Sequence, residues 1–135
     1  MSAELTLQAP GVAASLDLVH GLLQRAWEQH PDVVADDRMR FEIAVVEIAG
    51  NVVEHAGNPD PVDFELALRV EPDRVEARFQ DPGQRVEVDF SPVTMPGELA
   101  ESGRGIALAL LTADEVTYRH DGDLNHWVVI RRRAA

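Results

Sequence analysis

Hydrophobic and polar positions follow two rhythms along this chain of 135 residues. Leu16, Val19, Leu23 and Trp27 recur at helical spacing and predict a helix over 13–29, which Pro31 ends. Asp36 and Asp37 offer the next helix start. Arg38 to His55 then carries the most regular stripe: Phe41, Val45, Ile48 and Val52, with Ala44 beside it. Gly57, Asn58, Pro59 and Pro61 close that segment.

The second rhythm has a period of two. Val62, Phe64, Leu66, Leu68 and Val70 alternate with polar residues, as one-face-buried strands do. Glu71-Pro72-Asp73 is a turn, and Val75, Ala77 and Phe79 continue the alternation, so a hairpin is expected. Glu4 to Gln8 is a looser first strand, broken by Pro10 and Gly11. Val86 to Phe90 is a short strand candidate. A helix is expected over Ile106–Thr112, directly after Gly103-Arg104-Gly105. Val116–His120 and Trp127–Ile130 read as strands joined by Asp121-Gly122-Asp123. Helices and strands do not alternate regularly, which argues against a doubly wound parallel sheet. The order predicts an α/β two-layer sandwich, with a mixed, mainly antiparallel sheet and helices on one face, as a single domain over 1–135.

Composition narrows the chemistry. Apolar residues make up 45%, enough for a packed core, but aromatics are only 5%, so that core is aliphatic. With no cysteine, disulfides, thiolate metal sites and cysteine nucleophiles are excluded. A net charge of −12 argues against binding nucleic acid phosphates non-specifically. It also repels a nucleotide at long range, so such a ligand would need backbone N–H groups, a cation or an arginine close by. Met1 to Leu5 lacks the pattern of a signal peptide, and no apolar run approaches the ~20 residues of a membrane span. A soluble, cytoplasmic protein without a membrane partner is expected.

Three short segments carry candidate chemistry. Glu47 and Asn51 stand at i and i+4, on the flank of the stripe, where polar groups can face a cleft while the helix still packs. A solvated helix edge would look the same. His55 lies nearer the stripe and reads as structural. Asp81 and Gly83 follow a strand: the carboxylate can accept from an amine, and the glycine allows close backbone approach. An ordinary turn also uses these residues. Gly103, Arg104 and Gly105 precede a helix, where free N–H groups and the dipole favour anions; a plain hinge is the alternative. No Gly-Lys-Ser/Thr follows, so this is not a P-loop. His20, His30, His120 and His126 form no triad or zinc pattern.

Taken in order, the segments resemble a known family. Phe41 to Ala56, with Glu47, Asn51 and the His55-Ala56 that follows, looks like the N-box of the GHKL ATPases, and more narrowly that of the anti-sigma factor serine/threonine kinases. Phe79-Gln80-Asp81-Pro82-Gly83 is similar to the next box. Gly103 to Leu111, followed by Asp114-Glu115-Val116, is similar to the last. The resemblance implies a Bergerat-type ATP-binding fold. It implies Mg²⁺ held by Asn51 beside the ATP phosphates, Glu47 as the base for a partner hydroxyl, Asp81 and Gly83 at the adenine, and Gly103, Arg104 and Gly105 around the phosphates. It also implies partners: a sigma factor that is sequestered, a STAS-type antagonist phosphorylated on Ser or Thr, and a second copy in a homodimer. The chain departs from the family at Gln84-Arg85, at Ala107 in place of a third glycine, and in the short lid between Phe90 and Gly103. These changes fall where the phosphates should be enclosed, while Glu47 and Asn51 are retained. A nucleotide-binding partner switch without phosphotransfer is therefore the alternative. A detached sensor-kinase catalytic domain fits less well, because there is no room for a phospho-acceptor helix pair.

Overall fold

A computed structural model describes residues 3–56, 62–86 and 101–134. Strand β1 spans Ala3–Pro10, and a 3₁₀ turn over Ala13–Ser15 leads into helix α1, Leu16–Gln29. Helix α2 spans Ala35–Ala56, with Asp36 and Asp37 in its first turn, where carboxylates complement the helix dipole. The hairpin β2 (Asp63–Val70) and β3 (Arg74–Asp81) follows. Helix α3 spans Glu101–Thr112, and β4 (Glu115–Asp121) and β5 (Leu124–Arg132) end the chain's regular structure.

The strands form one five-stranded sheet in the order β1-β2-β3-β5-β4. All its pairings are antiparallel. The expected α/β architecture with a mainly antiparallel sheet is thus found, and among the described residues no pair is parallel. The reason is topological. The crossover through α3 brings β4 in parallel to β3, but β5 turns back and inserts between them, so each neighbour runs the opposite way.

The β4–β5 hairpin closes on Gly122 (φ 54°) and Asp123 (φ 71°). A two-residue loop with both central φ values positive matches the twist of the flanking strands. Glycine adopts this conformation freely, and aspartate tolerates it better than most residues.

The core lies between the helices and one sheet face. Phe41, Val45, Ile48 and Val52 of α2 are each at most 2% exposed. Opposite them lie Phe64, Leu66, Phe79, Trp127 and Val129, also buried. Each such side chain contributes roughly 1.5–3 kcal/mol by leaving water. The other sheet face carries Glu4, Thr6, Gln8, Glu65, Arg78 and Gln80, which line an open hollow. Period-two alternation thus sorts each strand into a helix-covered face and a polar one.

The basic tail does not project freely. Arg131 and Arg133 pair with Asp37 and Asp32, and the Ala134 N–H donates to Asp37, so the end of β5 is fastened to the start of α2.

Candidate functional site

Helix α2 treats its two candidate residues differently. Asn51 is 7% exposed, while Glu47 is only half-buried. The flank expected for both is therefore occupied by Asn51 on its inner side and Glu47 on its outer side. Glu47 lines a groove of about 320 Å³ with His20, Met39, Glu42, Ile43, Val46 and Leu108. The groove floor is the solvent-side face of α2, and α1 and α3 form its walls. Leu108 and Leu111 of α3 are exposed at 39% and 76%, so this side of the helical layer sets apolar side chains beside two carboxylates, Glu42 and Glu47. His55 is half-buried.

Helix α3 packs along α2 and carries the glycine segment next to the helix of Glu47 and Asn51. Its start differs from expectation. Gly103, Arg104 and Gly105 lie within the first turns of α3 rather than before it. Glycine is tolerated here because N-terminal N–H groups have no intrahelical partner to lose, and the apolar run Ile106 to Leu111 propagates the helix backward. Gly103 still falls in the turn whose N–H groups are unpaired within the helix. The strand candidate at 86–90 and the lid between Phe90 and Gly103 lie outside the described residues, apart from Val86 itself, which is buried and outside any strand. So does the Gly57 to Pro61 closure of α2.

Asp81 ends β3 on the helix-covered face and is 3% exposed. The Gly83 N–H donates to its Oδ1 at 2.8 Å, which folds Asp81-Pro82-Gly83 into a tight Asx-type turn. The turn borders an open hollow of about 400 Å³ lined by Pro82, Gly83, Gln84, Arg85, His120 and Asp123. Asp81 and Gly83 are thus brought together directly. No described hydrogen bond joins them to Glu47 or Asn51, although α2 packs against β3 and β5.

Asp81 is held by Asn125, which the sequence reading passed over, and Asn125 in turn contacts Tyr118 and His120. In the sheet register Asp81 faces Asn125, and Asn125 faces His120, so the three form one row across β3, β5 and β4. Asn125 is 1% exposed. Its Nδ2 donates to Asp81 Oδ1 at 3.1 Å, to the Gly83 carbonyl at 3.1 Å and to the Gln84 carbonyl at 2.8 Å. The Tyr118 hydroxyl donates to Asn125 Oδ1 and accepts from the Val86 N–H at 2.8 Å. His120 Nδ1 lies 3.0 Å from the same Oδ1. An amide oxygen only accepts, so this contact requires the proton on Nδ1. A signal for Asn125 did exist: continuing the buried alternation of Val129 and Trp127 two residues back lands on it.

The donor set suits a nucleotide and a hard cation. Asp81 offers a buried carboxylate whose described bonds fall on Oδ1, and a carboxylate oxygen can accept from an amine. Asn51 offers a neutral carbonyl oxygen, a normal single ligand for a magnesium ion that keeps most of its waters. Among the described residues, no group of three or more His, Asp or Glu side chains forms a complete metal cage. No described helix is long and apolar enough to cross a membrane.

A family model described as the histidine kinase-like ATPase domain matches residues 12–132. No curated protein matches the chain by sequence. In fold it is similar to the crystal structure of the RsbU and RsbW domains of Rv1364c from Mycobacterium tuberculosis, with a TM-score of 0.66 and 19% identity. That match covers 98% of this chain but 33% of the other, so this chain spans about a third of that one.

Proposed function

Because the chain belongs to the histidine kinase-like ATPase domain family, we propose that it binds ATP with Mg²⁺ and acts as an anti-sigma factor kinase, sequestering a sigma factor and phosphorylating a serine or threonine of a STAS-type antagonist. The observation that carries this reading is the division of labour on α2. Asn51 is tucked inward, while Glu47, four residues away, borders an open groove that a protein hydroxyl can reach.

Asp81 accepts from the exocyclic amine of adenine through Oδ2, and the turn to Gly83 gives the base close access to the backbone. The N–H groups at the start of α3 face the phosphates, with Arg104 adding charge. Asn51 would hold Mg²⁺ through its side-chain oxygen, and the ion, when bound, neutralises charge between phosphate oxygens. Glu47 takes the proton from the attacking hydroxyl. That oxygen bonds to the γ-phosphorus, the bond from it to the β–γ bridging oxygen breaks, and ADP leaves with the electron pair.

A nucleotide-binding switch without transfer is the second reading. It is favoured by Gly103-Arg104-Gly105 lying inside α3 and by Ala107 in place of a third glycine. One experiment separates the two. Calorimetry with ATP and Mg²⁺ is followed by radiolabel transfer to a STAS-type partner, using the wild type and Glu47→Gln. The kinase reading expects labelled phosphoserine or phosphothreonine from the wild type, and at least about a hundredfold less from Glu47→Gln with ATP affinity unchanged. ATP binding without transfer selects the second reading, and full transfer by Glu47→Gln removes Glu47 as the base.

A further inference from the structure

We propose that Asn125 is a positioning residue for purine recognition: it holds the Asp81 carboxylate in the one orientation that presents Oδ2 to an exocyclic amine. The inference rests on the nucleotide reading above and assigns a specificity role to a residue outside the three sequence boxes.

Nδ2 of Asn125 meets three acceptors: Asp81 Oδ1, the Gly83 carbonyl and the Gln84 carbonyl. Only an NH₂ group satisfies that set, so the amide cannot be turned around. The Tyr118 hydroxyl has one proton. It accepts from the Val86 N–H, so it spends that proton on Asn125 Oδ1. Both ends of the amide are therefore committed, and Asn125 at 1% exposure has no water to substitute for them.

Asp81 is fixed in turn. Its Oδ1 accepts from both Asn125 Nδ2 and the Gly83 N–H, so rotation about the carboxylate bond would break two bonds at once. With Oδ1 held in this way, Oδ2 is the oxygen assigned to the amine. A carboxylate held this way accepts from an amine and repels a carbonyl. The site should therefore prefer a 6-amino purine to a 6-oxo purine, and the preference should depend on Asn125 and Tyr118 although neither donates to the ligand.

The test compares the dissociation constants of ATP and ITP, each with Mg²⁺, by calorimetry on the full chain. Wild type should favour ATP by about ten- to a hundredfold, the size of one hydrogen bond to a charged group. In Asn125→Ala the ATP affinity should fall while the ITP affinity holds, shrinking the ratio by about fivefold or more. Tyr118→Phe keeps the amide but leaves its oxygen with the His120 Nδ1 contact alone, and should shrink the ratio in the same direction by about two- to fivefold. It carries the test alone if Asn125→Ala does not fold. A purely structural role for Asn125 would weaken both nucleotides equally. An unchanged ratio in the folded variants, with the wild type discriminating, overturns the inference and leaves the nucleotide reading intact. A wild type that binds ATP and ITP equally overturns the inference together with the amine role of Asp81.

Discussion

Asp37→Ala should destabilise the protein more than any other single change to a charged residue outside the candidate site. The side chain is 2% exposed, and both its oxygens are engaged. Arg131 Nε donates to Oδ1 at 2.9 Å, and the Ala134 N–H donates to Oδ2 at 2.8 Å. Removing one member of a buried pair costs about 3–5 kcal/mol, chiefly by stranding the partner charge. Arg131 is not wholly stranded here. It is 19% exposed and retains Asp36 at 3.5 Å and the Thr112 carbonyl at 3.3 Å. Those partners and the residual solvent lower the expected loss to about 2–3 kcal/mol. For a domain of this length each kcal/mol moves Tm by roughly 3–5 °C, so Tm should fall by about 6–15 °C.

Urea denaturation followed by circular dichroism measures this directly. The midpoint should drop with the slope m unchanged, since the folded and unfolded surfaces stay the same. A double-mutant cycle with Arg131→Ala then isolates the pair, and a coupling of about 1–2 kcal/mol is expected. If Asp37→Ala costs less than about 0.5 kcal/mol, the range of ordinary surface changes, the clamp does not hold the tail. If the two single losses simply add, the ion pair is not the source of the effect.

Three further outcomes follow from the same structure. Ile48→Ala, at a position 0% exposed in the stripe of α2, should cost about 2–5 kcal/mol in the same denaturation assay. Gly122→Ala meets no atom within 4 Å but must hold φ 54°, so a purely backbone penalty of about 1–2 kcal/mol is expected, and a neutral result would contradict the positive-φ turn. The guanidinium of Arg133, which donates to Asp32 at 2.7 Å, holds the Asp32 carboxyl below its ordinary value of 3.8. The folded state then binds the proton less readily than the unfolded one, so the contact contributes fully above the ordinary value and is lost as pH falls through the lowered one. An NMR titration of the Asp32 carboxyl carbon should show the lowered midpoint, and Arg133→Ala should raise it toward the ordinary value.

What was legible in this sequence is what local periodicity controls. The alternation from Val62 to Val70 and from Val75 to Phe79 became β2 and β3, with Phe64, Leu66, Leu68, Ala77 and Phe79 all buried on one face. The stripe of Phe41, Val45, Ile48 and Val52 became the buried face of α2. These signals survive because each residue reports its own environment. The sheet order does not work that way. That β5, not β4, pairs with β3 is decided by which strand fills the space beside a hairpin already formed, and no residue of β4 or β5 encodes it alone. The Asp37 to Arg131 pair bridges 94 positions, and a basic tail looks the same in sequence whether solvated or clamped. The start of α3 was misplaced because glycine's low helix propensity suggests a boundary, yet it weighs least in a first turn that lacks internal hydrogen bonds. Asn125 was missed for a related reason: a polar residue at an inward position reads as the end of a strand. Here the strand continues, and the buried amide is tolerated only because Asp81, Tyr118 and two carbonyls of the turn after Asp81 satisfy it. A break in a buried alternation is thus worth testing as a polar hub before it is accepted as a boundary, and in this fold that test points to the carboxylate on which nucleotide choice would depend.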